Sequence, residues 1–178
     1  MAGRSPEQDR SAPRPDRDAG RWLVDDLRPE DRETWVQLHR GYLDFYESTR
    51  PEEVSAVVWS WLQDPGHELE ALVVRPAPRA EPVGLAHYRP FARPLHGSTA
   101  CFLDDLFVAP AARGTGAVDA LLAGVQQRCH ERGWSHVRWV TRASNSTAQS
   151  TYDRLATRTD LVTYDLDAVR TPRHPGHP

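Results

Sequence analysis

The sequence predicts an α/β (α+β) domain with a central mixed, mostly antiparallel twisted sheet flanked by helices, in the order β-α-α-β-β-β-α-β-α-β. The first observation is that apolar residues recur at helical spacing in some segments and at alternate positions in others. The second is that short turns join the strand-like segments in the middle of the chain, whereas helices separate the later ones. Hairpins followed by helical crossovers are typical of a mixed sheet with helices packed on it.

The elements follow in order along the chain. A first strand is predicted over residues 21–27, a helix over 29–47, and a second helix that begins at Pro51 and ends before Asp64. Strands are expected over 69–75, 82–90 and 99–110, and a helix over 115–132. A strand over 135–142, a short helix over 145–156 and a final strand over 161–167 complete the prediction. Proline at the start of the second helix and Asp-Pro-Gly at its end are ordinary boundary signals.

The 178 residues suffice for one domain, which we expect over residues 21–168. Residues 1–20 mix charges with proline and contain little that a core would bury, so they predict a disordered tail. Residues 169–178 predict a flexible tail for the same reason.

Composition excludes several classes of function. The formal net charge of −3 does not favour nucleic acid as a partner, and the absence of lysine excludes a lysine nucleophile or Schiff base. Cys101 and Cys129 have no metal-ligand spacing and are expected as free buried thiols, so no metal is predicted. No segment reaches the ~18 apolar residues of a membrane helix, nor is there a signal peptide, so we expect a cytoplasmic protein without a membrane partner.

The segment ARGTGAV joins a predicted strand to a predicted helix. The first amides of a helix lack internal partners and attract an anion, and glycines let the backbone approach it closely. Gly114 and Gly116 alone are equally well explained as turn residues.

The segments around this loop resemble the GNAT family of acetyl-CoA-dependent N-acetyltransferases, in particular its polyamine and Hpa-type branch. The loop follows the pattern [Q/R]-x-x-G-x-[G/A] at all but its last position, where Val118 stands. Downstream, WVTRASNSTAQSTYDRLA supplies Asn145, Ala148 and Tyr152, and upstream FLDDLFV resembles the acidic strand of that branch. The resemblance extends from Trp22 to Asp167 and implies the GNAT fold.

The resemblance implies acetyl-CoA as co-substrate and assigns residues to it. The backbone of Leu106, Phe107 and Val108 would hold the pantetheine arm, and Asn145 would also contact the donor. The pyrophosphate would lie on the loop amides, which belong to Arg113, Gly114, Thr115, Gly116, Ala117 and Val118. Tyr152 would protonate the leaving thiolate, since a phenol is protonated at neutral pH. Val118 and Asp119 depart from the family pattern, so either a weaker affinity for CoA or another donor is possible.

Acidic residues supply the candidates for the acceptor side. Asp104 aligns with the proton acceptor of the polyamine branch, and Asp105 is the candidate for holding the amine; alternation along a strand predicts that the two point to opposite faces. A structural or solvated role for both is the alternative. Asp44 and Glu47 would add negative charge at the end of the first helix, or form an exposed acidic helix end. His87 and His96 are possible bases or structural residues.

The function expected is transfer of an acetyl group from acetyl-CoA to a primary amine of a small cationic acceptor, such as a polyamine, an amino-metabolite or an antibiotic. The resemblance further implies direct attack in a ternary complex and a homodimer. Two alternatives remain: a GNAT-fold transferase with a longer acyl-CoA or an aminoacyl-tRNA as donor, and a non-catalytic acyl-CoA-binding protein. A tRNA donor would need a basic patch, for which the candidates are Arg138, Arg142, Arg154 and Arg158. The sequence does not identify the acceptor amine.

Overall fold

A computed structural model describes residues 22–168, so both predicted tails, and Arg21, lie outside the described residues. The chain divides into two compact units, Met1–Val140 and Thr141–Pro178, and each is described by itself.

The first unit contains a five-stranded sheet in the order β1-β2-β3-β4-β5. Its strands are β1 (Leu23–Asp26), β2 (Glu70–Arg75), β3 (Gly84–Arg93), β4 (Ser98–Val108) and β5 (Val137–Arg138). The first four strands pair antiparallel with their neighbours, and β5 runs parallel to β4. The predicted mixed, mostly antiparallel sheet is therefore confirmed.

In the described part of the first unit, residues 22–140, the helices are α1 (Arg32–Phe45), α2 (Pro51–Gln63) and α3 (Ala117–Glu131). A 3-10 turn over Pro29–Asp31 leads into α1, and further 3-10 turns cover Pro94–His96 and Pro110–Ala112. The second unit contains α4 (Ser146–Leu155). All four helices lie within a few residues of the predicted positions.

The sheet of the first unit has a buried core on each face, because successive strand residues point to opposite sides. On β2, Leu72 and Val74 belong to the core formed with α3, whereas Val73 belongs to the core formed with α1 and α2. Trp35 of α1 is completely buried in the second core. The site described below lies on the α1 side of the sheet.

One extra residue interrupts the pairing of β3 with β4. His87 is opposite Asp105, but Tyr88 is opposite Leu103, which leaves Asp104 as the unpaired residue of a β-bulge. Both Leu103 and Leu106 face the α3 core although they are three positions apart, an odd spacing that a regular strand does not allow.

Two of the predicted strands differ from the structure. The strand expected over 135–142 is reduced to Val137 and Arg138. These residues pair with Cys101 and Phe102 of β4, and the pairing stops just before the bulge, which shifts the backbone of β4 out of register. The strand expected over 161–167 is wrong: that segment has no regular structure, and Tyr164 and Leu166 are 88% and 94% exposed. Its apolar alternation is strand-like, but a strand also needs a neighbour for its backbone hydrogen bonds, and none among residues 22–168 pairs with it.

Cys101 and Cys129 are free buried thiols, as predicted. Burial raises the pKa of Cys101 to about 12, so this thiol is protonated at neutral pH. Within residues 22–168, no helix has both the length and the apolar character needed to cross a bilayer.

Candidate active site

The bulge places two neighbouring carboxylates on the same face of the sheet. His87 and Arg89 are two positions apart on β3, so their side chains share a face. His87 contacts Asp105, with 2.8 Å between Nδ1 and Oδ2, and Arg89 contacts Asp104, with 3.1 Å between Nε and Oδ2. The expectation that Asp104 and Asp105 point to opposite faces is therefore wrong, because the extra residue cancels the alternation.

Asp105 is held by groups from two elements. The His87 ring, which is completely buried, contacts it from β3, and Tyr42 interacts with it from α1. The Asp105 side chain is 23% exposed, so part of the carboxylate faces solvent. No arginine among residues 22–168 forms an ion pair with it.

The two carboxylates differ in acidity. Burial alone would raise the pKa of Asp105, but the hydrogen bond from His87, followed by the other interactions with His87, Tyr42 and His39, outweighs burial, and the pKa is lowered. Burial raises the pKa of Asp104, Arg89 opposes this, and the neighbouring charge of Asp105 adds to it. Asp105 is thus the stable anion of the pair, and Asp104 accepts a proton more readily.

Asp104 has a partner for its charge but incomplete hydrogen bonding. The Arg89 Nε donates to Oδ1 over 3.4 Å. Oδ2 lies closer to the same nitrogen, at 3.1 Å, but is buried without a well-aligned hydrogen bond. This oxygen is therefore the one with capacity left to accept a proton.

A close approach of α1 to β4 brings Tyr42 to Asp105. A Cβ atom at Gly41 would lie 2.7 Å from Cζ of Phe107, well inside van der Waals contact, so a larger residue would force the Phe107 ring to move. Trp35, His39 and Tyr42 follow one another at intervals of four and three residues, so they lie on one face of α1. That face covers the acidic bulge.

The loop after β4 ends at the N-terminus of α3. Gly114 and Gly116 adopt φ angles of 72° and 85°, which glycine tolerates best, and Gly116 caps the helix without a side-chain hydrogen bond. The first intrahelical hydrogen bond is donated by Ala120 to Gly116. The amides of residues 117–119 therefore lack intrahelical acceptors, which makes this helix end suited to an anion.

Side chains of the loop turn back onto the protein. Arg113 Nε donates to the Val108 carbonyl over 3.1 Å, and its guanidinium lies over the Phe107 ring. Thr115 Oγ1 donates to the carbonyl of Ala112 over 2.6 Å. Val118 packs against the α3 core. The β-branched side chain that breaks the family pattern is thus directed to the protein interior.

One edge of β4 is open next to this loop. Toward β3 the strand is paired along its length, and Leu106, Phe107 and Val108 are opposite Ala86, Leu85 and Gly84. Toward β5 the pairing covers only Cys101 and Phe102. Within the described residues, the backbone of β4 beyond Phe102 has no strand partner on that side and can pair with an extended ligand.

Three other predicted residues lie away from these contacts. Asp44 and Glu47 are exposed at the end of α1, and Glu47 adopts a positive φ of 58° where the helix ends. No ion pair or side-chain hydrogen bond between residues 22 and 168 connects either acid to the bulge. His96 is exposed in its 3-10 turn.

In the second unit, Asn145 is the N-cap of α4. Its Oδ1 accepts a hydrogen bond from the amide of Ala148 over 3.2 Å, a capping role that the sequence analysis did not assign. Tyr152 lies on the same helix and is partly buried.

The chain matches the Acetyltransferase (GNAT) family over residues 20–156. It is 31% identical over 144 residues to the D-amino-acid N-acetyltransferase HPA3 of Saccharomyces cerevisiae, covering 81% of this chain and 89% of that protein. Among solved structures, it is similar to a ribosomal-protein-alanine N-acetyltransferase from Brucella melitensis biovar Abortus 2308, with a TM-score of 0.67, 21% identity, and coverage of 82% and 98% of the two chains. It is also similar to the aminoglycoside N-acetyltransferase AAC(6')-Iy in complex with CoA, with a TM-score of 0.70, 17% identity, and coverage of 83% and 95%.

The chain therefore belongs to the GNAT acetyltransferase family, and its fold is the GNAT fold. It is an N-acetyltransferase whose acetyl donor is acetyl-CoA, and its acceptor is an amine.

Proposed function

We propose that this enzyme acetylates a primary amine that binds as a cation, and that Asp105 holds its ammonium group. The single observation that supports this most is a partly buried anion without a cationic partner. Asp105 contacts His87 and Tyr42, which are hydrogen-bond donors, but no arginine among residues 22–168. A ligand that supplies the positive charge is the natural complement of such a carboxylate.

The reaction needs a neutral amine. An ammonium group with a pKa near ~10 must lose a proton before its nitrogen attacks the thioester carbon. Asp104 is proposed as the acceptor of that proton, directly or through water, and its raised pKa supports this role. Attack forms the C–N bond, the C–S bond breaks, and the products are the acetylated amine, CoA thiol and one released proton.

Tyr152 is proposed as the acid that protonates the leaving CoA thiolate, and the family resemblance alone supports this role. A Tyr152→Phe variant should lower kcat while the KM for the amine stays constant, because the substitution removes only the hydroxyl proton. Steady-state kinetics with a panel of polyamines, D-amino acids and aminoglycosides measures both values. Unchanged kcat would remove Tyr152 from the mechanism.

The donor is proposed to lie along the open edge of β4, with its pyrophosphate at the N-terminus of α3 and Asn145 as a further contact. The unpaired strand edge and the three amides of residues 117–119 support this placement. The inward direction of Val118 supports it too, since the side chain does not crowd the helix end. Asp119 keeps an acidic charge in the first turn, which favours a modest affinity.

A pair of glycine variants tests the donor site. Gly114 and Gly97 both have positive φ, 72° and 55°, and a Cβ at either position meets nothing within 4 Å. Alanine at either position should therefore lower the free energy of unfolding by a similar ~1 kcal/mol. Only Gly114→Ala should weaken acetyl-CoA binding, by about 10-fold, or ~1.4 kcal/mol. Equal affinity of the two variants in calorimetry would contradict the proposed position of the pyrophosphate.

The same calorimetry separates the alternatives. Micromolar binding of acetyl-CoA with turnover supports the main proposal, binding without turnover supports an acyl-CoA-binding protein, and preference for a longer acyl-CoA supports another donor. A tRNA donor is disfavoured because Arg158 is paired with Asp153 and Arg138 lies over the Phe91 ring.

A homodimer and a cytoplasmic location also remain proposals. Exposed apolar side chains on α1 and α2 support a dimer interface, and they belong to Phe45, Val57 and Trp61. Sedimentation of the purified protein should give twice the monomer mass; a monomer at all concentrations would contradict the dimer.

A further inference from the structure

Three side chains of the first unit form a continuous chain of hydrogen bonds: Trp35, His87 and Asp105. Trp35 Nε1 lies 3.0 Å from His87 Nε2, and His87 Nδ1 lies 2.8 Å from Asp105 Oδ2. Tyr42 interacts with the same carboxylate. Trp35 and His87 are both completely buried, so water does not take part at that end of the chain.

The tryptophan determines where the histidine proton lies. An indole nitrogen only donates, so His87 Nε2 must be an unprotonated acceptor. The proton of a neutral imidazole then sits on Nδ1, where it donates to Asp105. A positively charged His87 would carry a proton on Nε2, and this N–H would face the Trp35 indole N–H with only 3.0 Å between the two nitrogens. The geometry therefore requires neutral His87 in its Nδ1–H form.

This proton assignment excludes two other roles for His87. His39, His87 and Asp105 offer ligand atoms within 4.8 Å of one another, a grouping that suggests a metal site. A metal on Nε2 would displace the Trp35 hydrogen bond, and a metal on Nδ1 would require a proton on Nε2 opposite the indole N–H. The same contact prevents His87 from taking a proton from substrate through Nε2.

We propose that His87 is a positioning residue: Trp35 holds it neutral, and its Nδ1–H orients Asp105 and keeps that carboxylate ionised for the acceptor ammonium. Only the last step, in which Asp105 binds the acceptor ammonium, rests on the proposed function. The proton position on His87 and the ionisation of Asp105 are properties of the free protein and are measurable without a substrate.

The groups around Asp105 are consistent with a single negative charge. From α1, burial lowers the pKa of His39 to about 4, so this ring is neutral, and its Nδ1 contacts Ser55 Oγ over 3.0 Å. Burial and the charge of Asp105 raise the pKa of Tyr42, which therefore stays a donor. From β3, Arg89 is paired with Asp104 of β4. The carboxylate of Asp105 thus keeps its charge uncompensated until a cation binds.

The first experiment measures the ring nitrogens of His87 by ¹⁵N NMR in the wild-type protein without ligands. We expect the Nδ1–H form at neutral pH, because Nε2 accepts from the Trp35 indole. An Nε2–H form or an imidazolium at that pH would overturn the proposal. This result is independent of whether the protein acetylates the proposed amines.

A matched pair of tryptophan variants tests the role of the indole donor. Trp35→Phe removes the donor, so the Nε2–H tautomer of His87 should become detectable beside the Nδ1–H form in the same NMR measurement. Trp59→Phe makes the same change in a ring that packs 5.1 Å from Trp35 but does not contact His87 through a hydrogen bond. The control should keep the Nδ1–H form, and loss of that form in both variants would contradict a specific role for Trp35.

Two variants of His87 test its effect on Asp105. His87→Leu removes the donor and should raise the pKa of Asp105 by about one unit, because a hydrogen bond to a charged group is worth that much. His87→Asn retains an N–H donor and should restore most of the difference. Carboxyl ¹³C NMR over a series of pH values reports the pKa of Asp105, and the KM for the amine should rise about 10-fold in His87→Leu only, because the carboxylate loses the donor that orients it. An Asp105 pKa that is the same in both variants would refute the proposal, and if neither folds, the wild-type measurement still decides.

Discussion

Two buried clusters of charge in the first unit are built in opposite ways. In one, the Arg75 guanidinium is 2% exposed and forms two hydrogen bonds to Asp31, one to Asp25 and one to the Ala80 carbonyl. In the other, Asp105 is held by Tyr42 and a histidine that its tryptophan partner keeps neutral. The first cluster compensates its charges within the protein, and the second does not.

The difference separates a structural role from a functional one. A fully paired guanidinium connects β2 to the segments on either side of it and has no capacity left for a ligand. The partly buried carboxylate of Asp105 has only neutral donors, so its charge is left for a ligand cation. Charge compensation, rather than burial alone, distinguishes the two sites.

The largest expected effect is on the compensated cluster. Arg75→Leu leaves Asp31 buried without its partner and should lower the free energy of unfolding by about 3–5 kcal/mol. Arg40→Leu is the control, because Arg40 and Glu52 form an ion pair with side chains 46% and 66% exposed, and it should cost less than about 1 kcal/mol. Urea denaturation measures both. Similar losses in the two variants would mean that the Arg75 cluster is not a special structural element.

A smaller effect, and of a different kind, is expected at Asp105. Asp105→Asn should raise the KM for a cationic amine about 10- to 100-fold, the value of a charge-assisted hydrogen bond. Its free energy of unfolding should change by less than about 1 kcal/mol, because no buried cation loses a partner. Asp31→Asn should instead cost about 3 kcal/mol and leave the KM unchanged. If Asp105→Asn destabilises the protein as much as Asp31→Asn, the carboxylate is structural.

The smallest effect is a pH dependence of stability that has opposite signs for Asp31 and for Asp104, the neighbour of Asp105. Burial would raise the pKa of Asp31, but the hydrogen bonds from Arg75 and the Arg28 amide outweigh it. A lowered pKa gives stability that is present above the ordinary value of 3.8 and is lost as pH falls through the folded-state pKa. The pKa of Asp104 is raised by burial, so stability is highest below 3.8 and is lost as pH rises through the folded-state pKa.

Denaturation at a series of pH values checks both signs. Asp31→Asn should weaken the loss of stability in acid, whereas Asp104→Asn should weaken the decline that begins above pH 3.8. The same slope change in both variants would contradict the difference between the clusters.

Most of the elements were predictable from local pattern. Helices α1, α2 and α3 carry regular apolar faces, and β2, β3 and β4 are predicted from largely apolar segments that turns separate, although the bulge interrupts the alternation of β4. The segment 161–167 carries the same kind of signal but is not a strand, since pairing depends on a neighbour that local pattern does not reveal.

The candidate site was only partly predictable. The family resemblance draws attention to Asp104 and Asp105. Their relative orientation depends on a β-bulge, which the residue types in this strand do not predict. The sequence predicts only that an apolar helix face includes Trp35, His39 and Tyr42. The polar atoms of these side chains on such a face are nevertheless a usable signal of a candidate site. His87 was left open between a base and a structural residue because its partners come from distant parts of the chain.

The sequence by itself determined the family, the order of nearly all elements, the glycine loop before α3 and the acidic strand, because each of these is a local pattern. Only the tertiary structure decided that both carboxylates share a face, that Val118 points inward, and that one acid is paired by Arg89 while the other is not. Such features depend on strand register and on contacts between α1, β3 and β4. Residues distant in sequence decide whether a carboxylate has a cationic partner. The presence of such a partner distinguishes Asp31 from Asp105.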